Sequence, residues 1–199
     1  MYTMNPQLYH AASSGDLSFF ERLTNFDTLL HVTTEKNTVL HVAVQCGHLQ
    51  VAQKIVQLRS SLMYQTNSKG DTPLHVAARV EDPSMVRLLI NTKRLEVETG
   101  GGQILSMVNL AMDTALHVAV RYGNSEAVKE LINEDPELAM SINNAGESAL
   151  FLAVDRKLYE IASHILSAAP KCCSFAGRRD GMNVLHAIVL RTDSKSLSL

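Results

Sequence analysis

A six-residue pattern, Thr-x-Leu-His-x-Ala, recurs along this chain and constrains its fold more than any other feature. Three copies match closely and two are weaker. They begin at Thr38, Thr72, Thr114, Ser148 and Asn183. Recurrence of one pattern at a regular interval indicates that a single structural unit is repeated and stacked along the chain.

The leucine of each copy marks the register of the repeat. A hidden copy lies near the N-terminus, where the segment from Leu8 to Leu17 aligns with the segment from Leu40 to Leu49. The markers are Leu8, Leu40, Leu74, Leu116, Leu150 and Leu185, at intervals of 32, 34, 42, 34 and 35 residues. The long interval predicts an insertion. Thr28–Val32 also fits the pattern but lies too close to Thr38, so we interpret it as a connection in which Leu29 and Leu30 cover apolar surface.

Each copy has the chemistry of a helix start. Its first residue is Thr, Ser or Asn, whose side-chain oxygen caps an unpaired backbone N–H, and Pro73 suits the first helical position. We expect a short first helix, over 73–80 in the third repeat, with Leu74, Ala77 and Ala78 facing the stack. A turn follows, which has Gly47 or Gly123 in two copies and Glu81 or Lys157 in place of the glycine in others. A longer amphipathic helix comes after the turn.

Polar turns, which we call fingers, connect the repeats. Gly70, Gly146 and Gly181 each lie two residues before a capping residue, where a positive φ is needed at the tip of a hairpin-like turn. Lys36 and Met112 occupy this position in the other two fingers. Because side chains disfavour positive φ, the sequence predicts that these two fingers are less regular.

These features resemble the ankyrin repeat, whose period is about 33 residues. The resemblance implies an all-α solenoid of stacked helix-turn-helix units with hairpin-like fingers, covering residues 1–190. We expect six repeats at approximately 5–33, 34–67, 68–109, 110–143, 144–178 and, incompletely, 179–190, followed by a polar tail at 191–199.

A closer resemblance is carried by Asn5–Ala12, Asp113–Arg121 and Asn133–Glu137, which are similar to the plant accelerated-cell-death-type ankyrin proteins. In that family a cytosol-facing ankyrin domain precedes a Pro-Gly-Gly domain with membrane helices, and members are associated with immunity, cell death and stress signalling. No Pro-Gly-Gly segment or membrane span occurs in these 199 residues. We therefore expect a truncated form or an incomplete gene. Its unfinished sixth repeat leaves an uncovered apolar edge, which predicts either self-association or a weakened C-terminal end.

Composition narrows the possible partners and compartment. A net charge of −2 gives no electrostatic basis for binding nucleic acid. The cysteines, Cys46, Cys172 and Cys173, form no disulfide or zinc pattern, and the N-terminus lacks signal-peptide character. We therefore expect a cytoplasmic chain with protein partners. The Cys172–Cys173 pair is interpreted as small, partly buried residues, with a redox sensor as the alternative.

The recurring histidines are candidates for metal binding, but equivalent atoms of stacked repeats do not converge on one ion. In the family this imidazole hydrogen-bonds the backbone of a neighbouring finger. We therefore assign structural roles to the capping residues and histidines: Thr38, His41, Thr72, His75, Thr114, His117, Ser148 and His186.

The Gly-rich insertion, 96–108, lacks the Gly-Lys-Ser/Thr ending of a phosphate-binding loop. We interpret it as an extended finger that either contacts a partner or stays in solvent.

No catalytic, cofactor or metal site is predicted, because no arrangement of nucleophile and base or of paired carboxylates has a supporting motif. The favoured hypothesis is a non-catalytic protein-interaction module that uses the finger tips and the exposed side of each first helix. The alternative is the cytosolic regulatory part of a membrane-anchored protein. The candidate partner-binding residues are Lys36, Asn37, Gln45, Ser68, Lys69, Asp71, Arg79, Asp113, Arg121, Tyr122, Asn144, Glu147, Asp155 and Arg179.

Overall fold

The computed structural model describes residues 3–95 and 104–174, a part of the chain built from helices and short turns. In chain order the α-helices are α1 (Pro6–Ser14), α2 (Leu17–Glu21), α3 (Val39–Gln45), α4 (Leu49–Leu58), α5 (Pro73–Ala77), α6 (Pro83–Leu95), α7 (Ala115–Tyr122), α8 (Ser125–Glu134), α9 (Ala149–Asp155) and α10 (Tyr159–Ala168). Single-turn 3-10 helices lie at Phe26–Leu30, Ser60–Tyr64, Pro136–Met140 and Pro170–Ser174.

The helices form two layers. The odd-numbered helices pack on one another in the order α1, α3, α5, α7, α9, and the even-numbered helices form a second row from α2 to α10. The five marker leucines in the described residues, from Leu8 to Leu150, are buried, and so are the alanines three residues after them. Small alanines let neighbouring first helices approach closely. The predicted all-α stack of helix-turn-helix units is therefore confirmed.

The first helices begin at the expected caps. Thr38, Thr72, Thr114 and Ser148 are the N-cap residues of α3, α5, α7 and α9, and Pro73 takes the first helical position. Helix α5 ends at Ala77, before the predicted end at residue 80. The reason is that the N–H groups of Arg79 and Val80 bond to carbonyls only three residues back, which tightens the last turn.

The turns inside the repeats use left-handed backbone in most copies. Gly47 and Gly123 have φ values of 75° and 71°, and Lys157 adopts φ 61° at the corresponding turn. Glu81 is not among the positive-φ residues of the described chain. There, Asp82 accepts a hydrogen bond from the N–H of Ser84 (2.9 Å) at the start of α6 instead.

All four described fingers have the same closing geometry. In each, an N–H donates to the carbonyl four residues later at 3.0 Å, at Thr33, Asn67, Asn109 and Asn143. Lys36 (φ 59°) and Met112 (φ 57°) adopt the conformation that Gly70 and Gly146 adopt. The prediction of two less regular fingers is therefore wrong. The hydrogen bonds that close the finger outweigh the left-handed strain of a side chain, which is about 1–2 kcal/mol.

The connection before α3 is the 3-10 helix Phe26–Leu30. Leu29 is fully buried, as expected, but Leu30 is 44% exposed. The prediction that Leu30 covers apolar surface is therefore wrong. In a helix with three residues per turn, successive side chains point in different directions, so only one of the pair reaches the core.

The end of the insertion returns to the core. Ile104 and Leu105 are fully buried and lie ten and nine residues before the cap Thr114, the places that Leu62 and Met63 hold before Thr72. The interpretation of 96–108 as an extended finger is therefore wrong for these two residues. Residues 96–103 lie outside the described part of the chain.

Other predicted features also lie outside the described residues: Gly181, Asn183, His186, the remainder of the sixth repeat at 179–190 and the tail at 191–199. Cys172 is fully buried.

The two left-handed glycines Gly70 and Gly123 provide a matched test of finger packing. A Cβ on Gly70 would lie 2.7 Å from the backbone N of Leu110 in the next finger, whereas one on Gly123 meets nothing within 4 Å. We expect Gly123→Ala to lower the free energy of unfolding by about 1 kcal/mol from backbone strain alone. Gly70→Ala should cost roughly 2 kcal/mol or more, because adjacent fingers must separate. Equal losses in urea titrations would contradict this packing.

Candidate protein-binding surface

The motif histidines tie each first helix to two fingers. The backbone N–H of Thr38 donates to Nδ1 of His41 (3.1 Å), and Nε2 of His41 lies 2.9 Å from the carbonyl oxygen of Asp71 in the next finger. His75 bonds in the same way to the carbonyl of Asp113 (2.9 Å) and His117 to that of Glu147 (3.1 Å). Every described motif histidine therefore connects its own cap to the following repeat.

These contacts fix the protonation state of the rings. A backbone N–H can only donate and a carbonyl can only accept, so Nδ1 is an acceptor and Nε2 carries the proton. Burial lowers the pKa of His41 to about 4, although the hydrogen bond that the ring donates to the Asp71 carbonyl raises this pKa. Burial likewise lowers the pKa values of His75 and His117. A protonated ring would also place a new Nδ1–H against the backbone N–H of the cap residue, and two donors cannot bond to each other.

An asparagine five residues before the cap organises each of three fingers. The side-chain oxygen of Asn109 accepts from the N–H groups of Ala111 (2.9 Å) and Asp113 (3.1 Å), and its amide donates to the carboxylate of Asp71 in the preceding finger (2.9 Å). Equivalent bonds are made by Asn67 and Asn143. The prediction missed these residues, although their fixed offset from Thr72, Thr114 and Ser148 is visible in the sequence.

Backbone hydrogen bonds also join neighbouring finger tips. The N–H of Ser68 donates to the carbonyl of Glu35 (2.9 Å), that of Leu110 to Lys69 (3.0 Å) and that of Asn144 to Ala111 (2.9 Å). The fingers and the first helices together line what we call the groove, between the finger tips 33–37, 67–71, 109–113 and 143–147 and the helices α3, α5, α7 and α9. Its base is held in place before any partner arrives.

Two ion pairs cross the groove at its middle. Arg79 bonds through Nη2 to Asp71, and Arg121 bonds through Nη2 to both carboxylate oxygens of Asp113 (3.0 and 2.9 Å). The side chains of Asp71 and Asp113 are only 1% and 6% exposed. Both aspartates are among the predicted partner-binding residues, and in this structure they are buried in these ion pairs. They turn inward because each carboxylate accepts from both an arginine and an asparagine.

Apolar side chains lie exposed beside these ion pairs. Leu110 is 73% and Tyr122 is 60% exposed, and the guanidinium of Arg79 lies 5.8 Å from the centre of the Tyr122 ring. Together with Lys69 and Arg121 they line a concavity of about 410 Å³. Leu110 was not among the predicted binding residues, and neither was Met112, which is 44% exposed at the same finger tip.

The other predicted binding residues are spread along the groove. Lys36, Ser68, Lys69 and Asn144 are exposed on finger tips, and Gln45 is exposed on α3. Asn37, Glu147 and Asp155 are half-buried, and Asn37 accepts a hydrogen bond from Asn67. Arg179 lies outside the described residues. The structure thus brings together Lys69, Arg79, Arg121 and Tyr122 at one place and leaves Lys36 and Gln45 a repeat or more away.

The chemistry of this surface is that of recognition. The described motif histidines, His41, His75 and His117, are buried and already hydrogen-bonded on both ring nitrogens. In residues 3–95 and 104–174 no group of three or more His, Cys, Asp or Glu side chains is arranged to hold a metal ion. Within the same two ranges, no helix has the length and hydropathy needed to cross a membrane.

Comparison with known families decides the class of the repeat. A family model described as ankyrin repeats (3 copies) matches residues 8–100 and 102–176. The chain belongs to the ankyrin-repeat family. Ankyrin repeats indicate a protein-interaction scaffold of a non-catalytic kind, which agrees with the groove described above.

Similar ankyrin proteins include plant and animal relatives. Protein ACCELERATED CELL DEATH 6 of Arabidopsis thaliana is 30% identical over 90 residues, 44% of this chain and 13% of that protein. Leucine-rich repeat serine/threonine-protein kinase 1 of Caenorhabditis elegans is 32% identical over 82 residues, 41% of this chain and 3% of that protein. The matched regions are thus small parts of both relatives.

A solved ankyrin domain has the same fold. The crystal structure of the ankyrin repeat domain of Bcl-3, described as a unique member of the IkappaB protein family, superimposes with a TM-score of 0.81. It is 23% identical, and the alignment covers 96% of this chain and 82% of that chain. At this identity the likeness establishes the ankyrin fold and nothing about partners.

The buried ankyrin histidines make stability depend on pH. His41 faces Asp71, His75 and Arg79, and its pKa falls from the ordinary 6.5 to about 4. The unfolded chain binds more protons than the folded chain between these values. The contribution of neutral His41 to stability is therefore fully present above pH 6.5 and is lost as the pH drops toward 4. The full loss for His41 is about 3 kcal/mol.

Urea titrations at pH 7.5 and pH 5.0 should therefore give a markedly lower free energy of unfolding at pH 5.0. Gln in place of the exposed His10 should keep this difference, whereas His41→Gln should reduce it. A free energy of unfolding that is the same at both pH values would contradict the assigned protonation state.

Proposed function

We propose that this chain is a non-catalytic protein-binding module that contacts its partner through the groove, centred on Leu110 and Tyr122. The observation that supports this most directly is the exposure of these two large side chains, 73% and 60%, on a base fixed by hydrogen bonds. A leucine and a tyrosine left in solvent contribute little to the fold, but they lose unfavourable contact with water when a partner covers them.

The chemistry of the site fits the usual energetics of protein interfaces. Most binding energy comes from a few residues, with Tyr and Arg enriched among them, near the centre of a contact. Here Tyr122 stacks on Arg79, and Arg121 lies beside the same concavity. The surrounding finger tips, among them Lys69 and Asn144, would then form a polar rim.

The biological setting that we propose is plant defence, cell-death or stress signalling in the cytoplasm. It is supported by the resemblance of Asn5–Ala12, Asp113–Arg121 and Asn133–Glu137 to the accelerated-cell-death-type proteins and by the 30% identity to the Arabidopsis relative. The partner in this setting is another protein, recruited by a scaffold that carries out no reaction itself.

Affinity capture of the partner by variants that lack exposed groove side chains tests the groove. Tyr122→Ala combined with Leu110→Ala should remove at least 90% of the captured partner, because about 2 kcal/mol or more is lost when an interface centre is truncated. Tyr159 is equally exposed (62%) but lies at the start of α10 in the second row of helices. Tyr159→Ala is therefore the matched control and should retain binding.

Circular dichroism and urea titration should show both variants folded as the wild type. Full partner capture by the Tyr122→Ala, Leu110→Ala variant would rule out the groove as the binding surface.

The alternative is that this chain is the cytosolic regulatory part of a membrane-anchored ankyrin protein. The family resemblance favours it, and the match to the Arabidopsis relative covers only 13% of that protein. Transcript sequencing through the codon of Leu199 tests this alternative: an open reading frame that continues into apolar segments of about 20 residues supports it. A stop codon directly after Leu199 would rule it out.

A further inference from the structure

In the concavity beside Leu110 the cationic side chains are accessible to a partner, whereas their aspartate counterions are buried. The concavity is lined by Lys69, Arg79 and Arg121, together with Asp71 and Asp113. Lys69 is exposed, and the arginine side chains are 26% and 34% exposed, whereas the aspartates are 1% and 6% exposed. A partner in the groove therefore meets positive groups, although the sum of charges over these five residues is only +1.

The arginines also keep hydrogen-bond donors for an incoming group. A guanidinium has five N–H donors in a planar fork. Among the described residues, Arg121 uses Nη2 for both oxygens of Asp113, and Arg79 uses Nη2 for Asp71. The Nε and Nη1 groups remain for an acceptor, and their guanidinium planes are held in place by the buried aspartates. Such a pre-oriented fork favours a carboxylate.

The next rung of the groove does not repeat this arrangement. At the chain positions of Asp113 and Arg121, the following repeat carries Glu147 and Asp155. Two carboxylates thus replace an acid–base pair on α9 and its finger, and both are half-buried. The arginine donors that α5 and α7 present are therefore not repeated at the corresponding position of α9.

We propose that the groove binds an extended segment of a partner protein in which one apolar side chain covers Leu110 and Tyr122 and an acidic residue lies on its α5 side, against Lys69 and the two arginines. This inference rests on the proposed function and gives the partner its chemistry. Neighbouring packed helices are about 8–10 Å apart, and an extended residue advances about 3.3 Å. The acidic residue therefore lies about two to three residues from the apolar one.

Charge complementarity selects this occupant over others. A basic segment would place like charges against Lys69 and the two guanidinium groups, and it would lose the donors that they offer. A polynucleotide would need cations along the whole groove, but the arginine position of α5 and α7 holds Gln45 on α3 and Asp155 on α9. An acidic group with an apolar group beside it matches the described cations of the concavity and the exposed Leu110 and Tyr122.

Selection from a displayed library of random 12-residue peptides tests the proposal on the full chain. We expect the enriched peptides to share an aliphatic or aromatic residue with Asp or Glu two to three positions to one side of it. For a synthetic peptide of the enriched sequence, moving the acid to the opposite side should raise the Kd about tenfold. Raising the salt from 0.05 M to 0.5 M should also weaken its binding.

Charge reversal at a lysine outside the groove provides the control for charge reversal at Lys69. Lys69→Glu should raise the Kd of the enriched peptide about tenfold, whereas Lys54→Glu on the outer helix α4, outside the concavity, should leave it within about twofold. Neither residue is part of an ion pair among the described residues. Urea titration confirms that both variants remain folded.

The outcomes separate this proposal from the proposed function. Peptides that lose binding in the Tyr122→Ala, Leu110→Ala variant but carry no acidic residue would overturn the acidic-segment proposal and leave the groove as a binding surface. Peptides that bind this variant as well as the wild type would count against both. Enrichment of basic peptides, or tighter binding of a single-stranded oligonucleotide than of any selected peptide, would overturn the proposal in favour of that occupant.

Discussion

The hydrogen bonds of the motif imidazole are the interaction on which the rest of the structure depends. Nδ1 of His41 accepts from the cap of its own helix, and Nε2 donates to the Asp71 carbonyl of the next finger. The ring therefore does two things at once: it completes a helix start and it sets the distance to the following repeat. Only a neutral imidazole with its proton on Nε2 satisfies both contacts, which is why burial and the lowered pKa belong to the same arrangement. No other side chain offers an acceptor and a donor on opposite edges of a rigid ring of this size.

Because this bond recurs between successive repeats, the fingers are coupled as a row. The asparagine amides and the finger-to-finger backbone bonds, such as Leu110 N–H to Lys69 O (3.0 Å), add a second and third connection between the same neighbours. A solenoid is stabilised by contacts between adjacent repeats and not by one central core. Position along the row therefore matters, because a middle finger is held from both sides. Leu110 on such a finger and Tyr122 at the end of α7 are exposed on this constrained part of the groove.

The sequence predicts the helices well because each cap, marker leucine and alanine acts locally or through a fixed period. Thr72, Pro73 and Leu74 specify a helix start without any knowledge of what surrounds it. The burial of Asp71 and Asp113 could not be predicted in this way, since each carboxylate meets an arginine eight residues later, across the return of the chain from finger to helix. Composition suggests that an aspartate on a turn is exposed. The left-handed Lys36 and Met112 were missed for a related reason: the strain is local, but the hydrogen bonds that overcome it become visible only when the whole finger is closed.

Some groove residues both stabilise the fold and face a partner, whereas others only face a partner. At the position seven residues after the cap, the chain carries Gln45, Arg79, Arg121 and Asp155. The two arginines neutralise carboxylates that also accept from the asparagines of adjacent fingers, so removing Arg121 leaves Asp113 buried without a counterion. The cost is about 1–3 kcal/mol, since the guanidinium is 34% exposed and water screens part of the attraction. Lost binding in an arginine variant therefore mixes two effects. Leu110, Tyr122 and Lys69 make no such bonds through their side chains to the buried network, so the choice of partner can change at these residues while the solenoid beneath them stays intact.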